Sequence, residues 1–222
     1  MTDASTLVRQ KLDQVPAILD EHGVDLWLTF VHETMLTPDP CLDLVVGTSC
    51  TWQSAFLLSR SGERIAIVGR FDAPGVEQVG AYPEIVTYDE SVRPVLRETI
   101  ERLDPQTIAL NYSPSNPAAD GLTHGLWLVL RETLEDTPYI YRLASSEQVV
   151  GSLRGRKSSF EIERIRGAIG ETEEIFALVR EQIGPGRKET EIAAIFHEEV
   201  SRRGLGYAWE AGECPAVDAG PE

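Results

Sequence analysis

The chain has 222 residues, 42% of them hydrophobic and 25% charged, with a formal net charge of −16. That length and apolar content suffice for a buried core, whereas the acidity argues against nucleic acid or an anionic membrane as partners, since both need a basic face. No apolar run approaches the ~20 residues of a membrane span, and the opening MTDASTLVRQ lacks the apolar segment of a signal peptide.

Val8, Leu12, Val15 and Leu19 recur at helical spacing over residues 5–22, with Pro16 expected to kink that helix and His22-Gly23 to end it. Asp25–Phe30 reads as a buried strand. Pro38 and Pro40 break residues 31–43 into a loop. Ser54–Ser59 and Arg64–Gly69 are β-rich runs joined by Arg60-Ser61-Gly62-Glu63, a hairpin signal. A short helix follows at Pro74–Val79, then a strand at Glu84–Tyr88. A helix runs from Ser91 to Leu103, followed by a strand at Thr107–Leu110. A further helix starts at Asp120 or Thr123 and ends near Leu134, and Tyr139–Leu143 reads as a last strand. This order predicts a mixed sheet with helices on both faces, a three-layer α/β/α domain over residues 1–143.

Residues 144–157 are expected to be a linker that includes a short helix capped by Ser145-Ser146-Glu147. Ser158-Ser159-Phe160-Glu161 has the pattern of a capping box. Beyond it, Ile162, Ile165, Ile169, Phe176, Val179 and Ile183 fall on one helix face. Gly184-Pro185-Gly186 stops that helix, an acidic-headed second helix follows, and Gly204 closes it.

The segment from Val149 to Glu191 carries the sharpest pattern. Arg154 or Arg156, Lys157-Ser158, Glu161-Ile162, Pro185-Gly186, Glu189 and Glu191 stand in the order that opens the pita-bread catalytic domain. The chain therefore resembles the aminopeptidase P, prolidase and creatinase family, with Lys188 where that family usually has Thr. The resemblance implies a creatinase-like N-terminal domain over 1–143 and an incomplete start of an α+β pita-bread domain over 158–222. It further implies a Xaa-Pro aminopeptidase or dipeptidase that is a cytoplasmic homodimer. Its two divalent metals, Mn, Co or Zn, are bound by residues beyond this chain, so the chain alone is expected to be inactive. Alternatives within the same fold are a metal-free creatinase-type hydrolase and a non-catalytic binding module.

No residue here is read as catalytic or as a metal ligand. Asp218-Ala219-Gly220 imitates the family's first ligand segment, yet Glu213–Pro221 fits better as an earlier strand of that domain. His197-Glu198-Glu199 lacks a second His at Ser201, so it reads as a solvated helix face. Gly151 to Ser158 is one residue short of a phosphate loop, and Gly47–Thr51 lacks the last Gly of a nucleophile elbow. Cys41, Cys50 and Cys214 have no paired spacing and read as reduced thiols. His22 and His124 read as surface or satisfied histidines, and Trp27 and Trp127 as packing residues. In the family, loops of the N-terminal domain can reach an active site, often across a dimer. On that basis His32 and Trp52 are candidate peptide-substrate contacts. Tyr207 and Trp209 are further candidates at the start of the catalytic-domain sheet, for which core packing is the competing role.

Overall fold

The computed structural model describes residues 3–218 and divides the chain into two compact units, one ending at Phe160 and one starting at Glu161. In the first unit the expected opening helix is two, α1 (Asp3–Leu12) and α2 (Val15–Glu21). Pro16 sits at the start of α2, where its missing N–H costs no hydrogen bond. β1 (Leu26–Val31) and the hairpin β2 (Ser54–Ser59) and β3 (Arg64–Gly69) form where the apolar β-rich runs and the turn residues place them. The loop between β1 and β2 contains one helical turn, α3 (Leu42–Val45). α4 (Ala73–Val79), β4 (Glu84–Tyr88), α5 (Val92–Leu103), β5 (Ile108–Leu110) and α6 (His124–Leu134) follow. Ser91 caps α5 by accepting from the Arg93 amide, and Thr123 rather than Asp120 caps α6 by accepting from the Leu126 amide.

The sheet order is β4-β3-β2-β1-β5-β6. Only β2 runs against its neighbours, so the other five strands end on the same edge. β1 and β2 are buried along their whole length, because helices cover both faces. One face carries Trp27, Phe56, Leu58, Ala66 and Val68 against α1, α2, α4 and α7 (Glu147–Gly155). The other carries Leu28, Phe30, Leu57 and Ile67 against α5 and α6. This is the mixed-sheet α/β/α architecture read from the element order.

Two expectations for the first unit need correction. The last strand is β6 (Leu143–Ser145), and Pro138–Tyr141 is instead a 3-10 turn. Parallel pairing with Ile108–Leu110 sets the position of β6, which no local apolar run marks. The segment read as a linker is also structured: Val149, Val150 and Leu153 of α7 are buried in the first unit's core. Lys11, itself buried, donates from Nζ to the Leu153 carbonyl (2.8 Å) and the Arg156 carbonyl (2.7 Å), satisfying the end of α7.

In the second unit, α8 (Ser159–Arg180) and α9 (Glu189–Arg202) enclose a small cluster of Ile175, Val179, Ile192 and Phe196. Phe176 and Phe196 meet edge to face at 4.9 Å. Arg203 ties the pair together by donating to Glu171 (2.6 Å) and Glu174 (2.8 Å). The Lys188 amide donates to the Glu191 carboxylate at 2.8 Å. This is the half of a capping box that does not need the missing Thr hydroxyl. Of the six residues expected to form the buried face of α8, Val179 is buried, while Ile169 and Phe176 remain 52% and 55% exposed. No strand forms between 205 and 218, because no neighbouring strand in this unit offers a ladder among the described residues. A 3-10 turn at Ala211–Glu213 takes its place.

Candidate functional site

The strand ends gather the loops that carry two of the predicted contact residues, His32 and Trp52. In an open α/β sheet, ligands bind outside the carboxyl ends of the strands. His32 follows β1 directly and is exposed. Trp52 lies on the return limb of the same loop, just before β2. The Glu33 amide donates to the Thr51 carbonyl (3.2 Å) and the Thr34 amide to the Cys50 carbonyl (2.9 Å), so the two limbs are zipped together. Glu33 has φ +48, an uncommon value for a residue with a side chain. Asp72 accepts from the Thr51 and Trp52 amides at 3.0 and 2.9 Å, fixing the second limb to the end of β3.

Trp52 is half-buried in an aromatic cluster, edge to face with Phe71 at 6.0 Å and tilted against Tyr88 at 5.7 Å. Gly69 makes this possible: a Cβ there would stand 2.5 Å from the indole. Tyr88 donates to the Gln53 carbonyl at 2.7 Å, and burial pushes its phenol up to about 12. Phe71 is 80% exposed, as is Leu36 on the first limb. A cavity of about 340 Å³ opens beside the cluster, lined by His32, Leu36, Thr37 and Gln53 from the loop and by Thr123 and Gly125 at the head of α6.

Below this surface lies a buried polar network that the sequence does not announce. Asn111, directly after β5, accepts from the Trp27 indole (2.6 Å) and the Ser146 hydroxyl (2.8 Å). Its amide donates to Thr29 (3.3 Å) and to Asp39 (2.9 Å). Asp39 also accepts from the Cys41 amide at 2.7 Å. A Cβ on Gly121 would stand 2.0 Å from the Asp39 carboxylate, so that position admits only glycine. Burial raises the Asp39 pKa, with Asn111 and Cys41 pulling it back. The network pins the β1–β2 loop to β5 and β6. Burial also pushes Cys50 up to about 12 and Cys41 higher still, which keeps both as thiols.

In the second unit, Tyr207 stacks edge to face on His197 at 5.3 Å, and Trp209 donates to the Glu213 carbonyl at 2.9 Å. Both are exposed, and Asp218 is exposed with them. The glycine-containing run at 151–155 belongs to α7, which removes the phosphate-loop geometry. The residues present do not fit a dinuclear metal centre, since no group of three or more His, Cys, Asp or Glu converges among the described residues. The strand-end surface presents an aromatic cluster, an imidazole and a cavity above the buried hydrogen-bond network.

Nothing in the sequence pattern singles out Phe71, Asn111 or Asp39. The only signal for Phe71 is an aromatic residue placed in a turn; Asn111 and Asp39 become partners only through the fold.

No helix among the described residues is long and apolar enough to cross a membrane. No protein-family model and no curated protein matches the chain. Solved structures do. An X-Pro aminopeptidase from Thermotoga maritima is 22% identical, with a TM-score of 0.54 over 87% of this chain and 49% of that one. A Xaa-Pro dipeptidase from Bacillus anthracis is 18% identical, with a TM-score of 0.55 over 87% and 48%. A dipeptidase from Mycobacterium ulcerans is 17% identical, with a TM-score of 0.56 over 92% and 51%. The chain thus spans about half the length of the structures it matches, and it has the creatinase/prolidase-type fold that those peptidase structures share.

Proposed function

We propose that the chain is the amino-terminal portion of a Xaa-Pro aminopeptidase or dipeptidase-like hydrolase. The observation that carries this reading is the fold match across nearly the whole chain to about half of several Xaa-Pro peptidases. On this reading the boundary between the two domains lies near Phe160, after α7, and the strand-end surface with His32 and Trp52 contacts a peptide substrate. Tyr207 and Trp209 border the groove of the second domain. The metal ligands, for Mn, Co or Zn, belong to sequence outside these 222 residues, and the working assembly is a cytoplasmic homodimer. The half-exposed apolar face of α8 supports the same reading. Ile165, Ile169, Phe176 and Ile183 are 43–55% exposed, and each such side chain forgoes part of the roughly 1.5–3 kcal/mol available on burial.

The test uses the complete gene product and a Xaa-Pro peptide. His32→Ala and Trp52→Ala should each lower kcat/KM about tenfold while metal content stays unchanged, the loss of one modest contact. Unchanged kinetics in both variants would remove the substrate role of this surface. Absence of any Xaa-Pro hydrolysis by the complete product would favour the metal-free hydrolase or the binding module.

A further inference from the structure

β6 is the last strand of the sheet, and no strand pairs with its outer side among the described residues. The Ile108 amide donates to the Arg142 carbonyl and the Ser146 amide to the Leu110 carbonyl, each at 2.8 Å. In a parallel ladder of this register Ala144 turns its amide and carbonyl to β5, so those of Leu143 and Ser145 face outward. They have no partner among the described residues, and all three strand residues are only half-buried.

A groove of about 520 Å³ runs beside this open edge. Its walls are Tyr112, Leu122, His124, Trp127, Ile140 and Leu143. The volume falls in the range of roughly 300–1,000 Å³ typical of ligand pockets. Leu143 belongs to both features, so a chain hydrogen-bonded to the edge passes the groove. The Tyr112 hydroxyl, the Trp127 indole N–H and the His124 ring have no hydrogen-bond partner among the described residues. They are available to a main chain lying over them.

We propose that this edge and groove bind an extended peptide, which adds a strand to β6 and seats one uncharged aromatic or branched aliphatic side chain in the groove. Strand addition of this kind draws affinity from main-chain hydrogen bonds and specificity from a side-chain pocket. Two arguments select that occupant. No Asp, Glu, Lys or Arg lines the groove, so a charged side chain would enter without compensation. The edge is three residues, about 10 Å of strand, and the groove is lined by six, against the roughly 20–30 residues a side of a stable protein–protein interface, so the site is sized for a short peptide segment rather than for a second copy of this chain. The proposal does not depend on the peptidase reading above.

The probe is the capped peptide acetyl-Ser-Val-Phe-Thr-amide, which contains no proline, titrated into the full chain and followed by amide and indole NMR shifts. Two isomers accompany it, N-methylated on alternate residues. Shifts should centre on Leu143–Ser145 and the Trp127 indole. One methylated isomer, the one whose blocked amides face β6, should bind about tenfold more weakly than the parent peptide while the other binds equally. Tyr112→Asp, at a side chain 38% exposed, should weaken the parent peptide similarly while the variant keeps the parent's circular dichroism and melting temperature. Equal binding of both isomers, shifts centred elsewhere, or no response up to about 5 mM peptide would each overturn the proposal.

Discussion

Replacing Asn111 by Asp tests the buried network with almost no change of shape. The new carboxylate keeps the two acceptor roles toward Trp27 and Ser146, now 2.6 and 2.8 Å away. Where the amide donated to Asp39 at 2.9 Å, however, two carboxylate oxygens now face each other. Both sites are 2% exposed. Two carboxylates at that distance cannot both ionise, so the folded pair retains a proton. Asp39 already leans that way, because burial raises its pKa. The direction of the pH effect follows. The unfolded chain releases both protons near the ordinary carboxylate pKa, whereas the folded variant holds one to higher pH, so stability falls as pH rises. About 1.4 kcal/mol is lost for each pH unit over which the folded pair keeps that proton. A window of two to three units therefore costs roughly 3–4 kcal/mol by neutral pH. Below about pH 3 both states are protonated, and an O–H···O bond between the two groups returns the variant close to the parent. Urea unfolding followed by circular dichroism at several pH values measures this. A difference between variant and parent that stays flat from acid to neutral pH would refute the account of Asn111 as the donor that makes a buried Asp39 tolerable.

Lys11→Met should lower stability by about 1–3 kcal/mol and speed amide exchange in the last turn of α7, because the Leu153 and Arg156 carbonyls lose a charged donor. Full protection of that turn in the variant would show that packing alone holds it. Gly69→Ala should displace Trp52, whose ring lies 2.5 Å from the added methyl. A chain that keeps the parent's near-ultraviolet dichroism and melting temperature would mean that the aromatic cluster is loose. Limited proteolysis should cut first at 184–188 or 204–213, where the backbone is exposed, and spare 143–157. Early cleavage inside α7 would contradict its place in the first core.

The sheet was legible where local chemistry decides. Ser54–Ser59 and Arg64–Gly69 are apolar β-rich runs on either side of a Gly-containing turn, and Ser91 and Thr123 mark helix starts with side chains that accept amide bonds. It was not legible where pairing decides. β6 is three residues whose position comes from β5, and the apolar run Tyr139–Leu143 drew the strand too early. α7 carried a helical pattern, but nothing local told whether Val149, Val150 and Leu153 faced a core or a hinge. Loop residues His32 and Trp52 could be singled out by their places near strand ends. Their support could not: the Asp39–Asn111 contact joins residues 72 positions apart, and Phe71 becomes notable only because Trp52 packs against it.

The central claim is that these 222 residues work as the opening portion of a longer Xaa-Pro peptidase-like protein. Intact mass spectrometry of the product of the native gene tests it most directly. The account predicts a mass near twice the 24.6 kDa of this chain, in keeping with the half-length match to the Xaa-Pro peptidases. A native product of 24.6 kDa would contradict it and leave the strand-end surface as that of a free-standing binding domain.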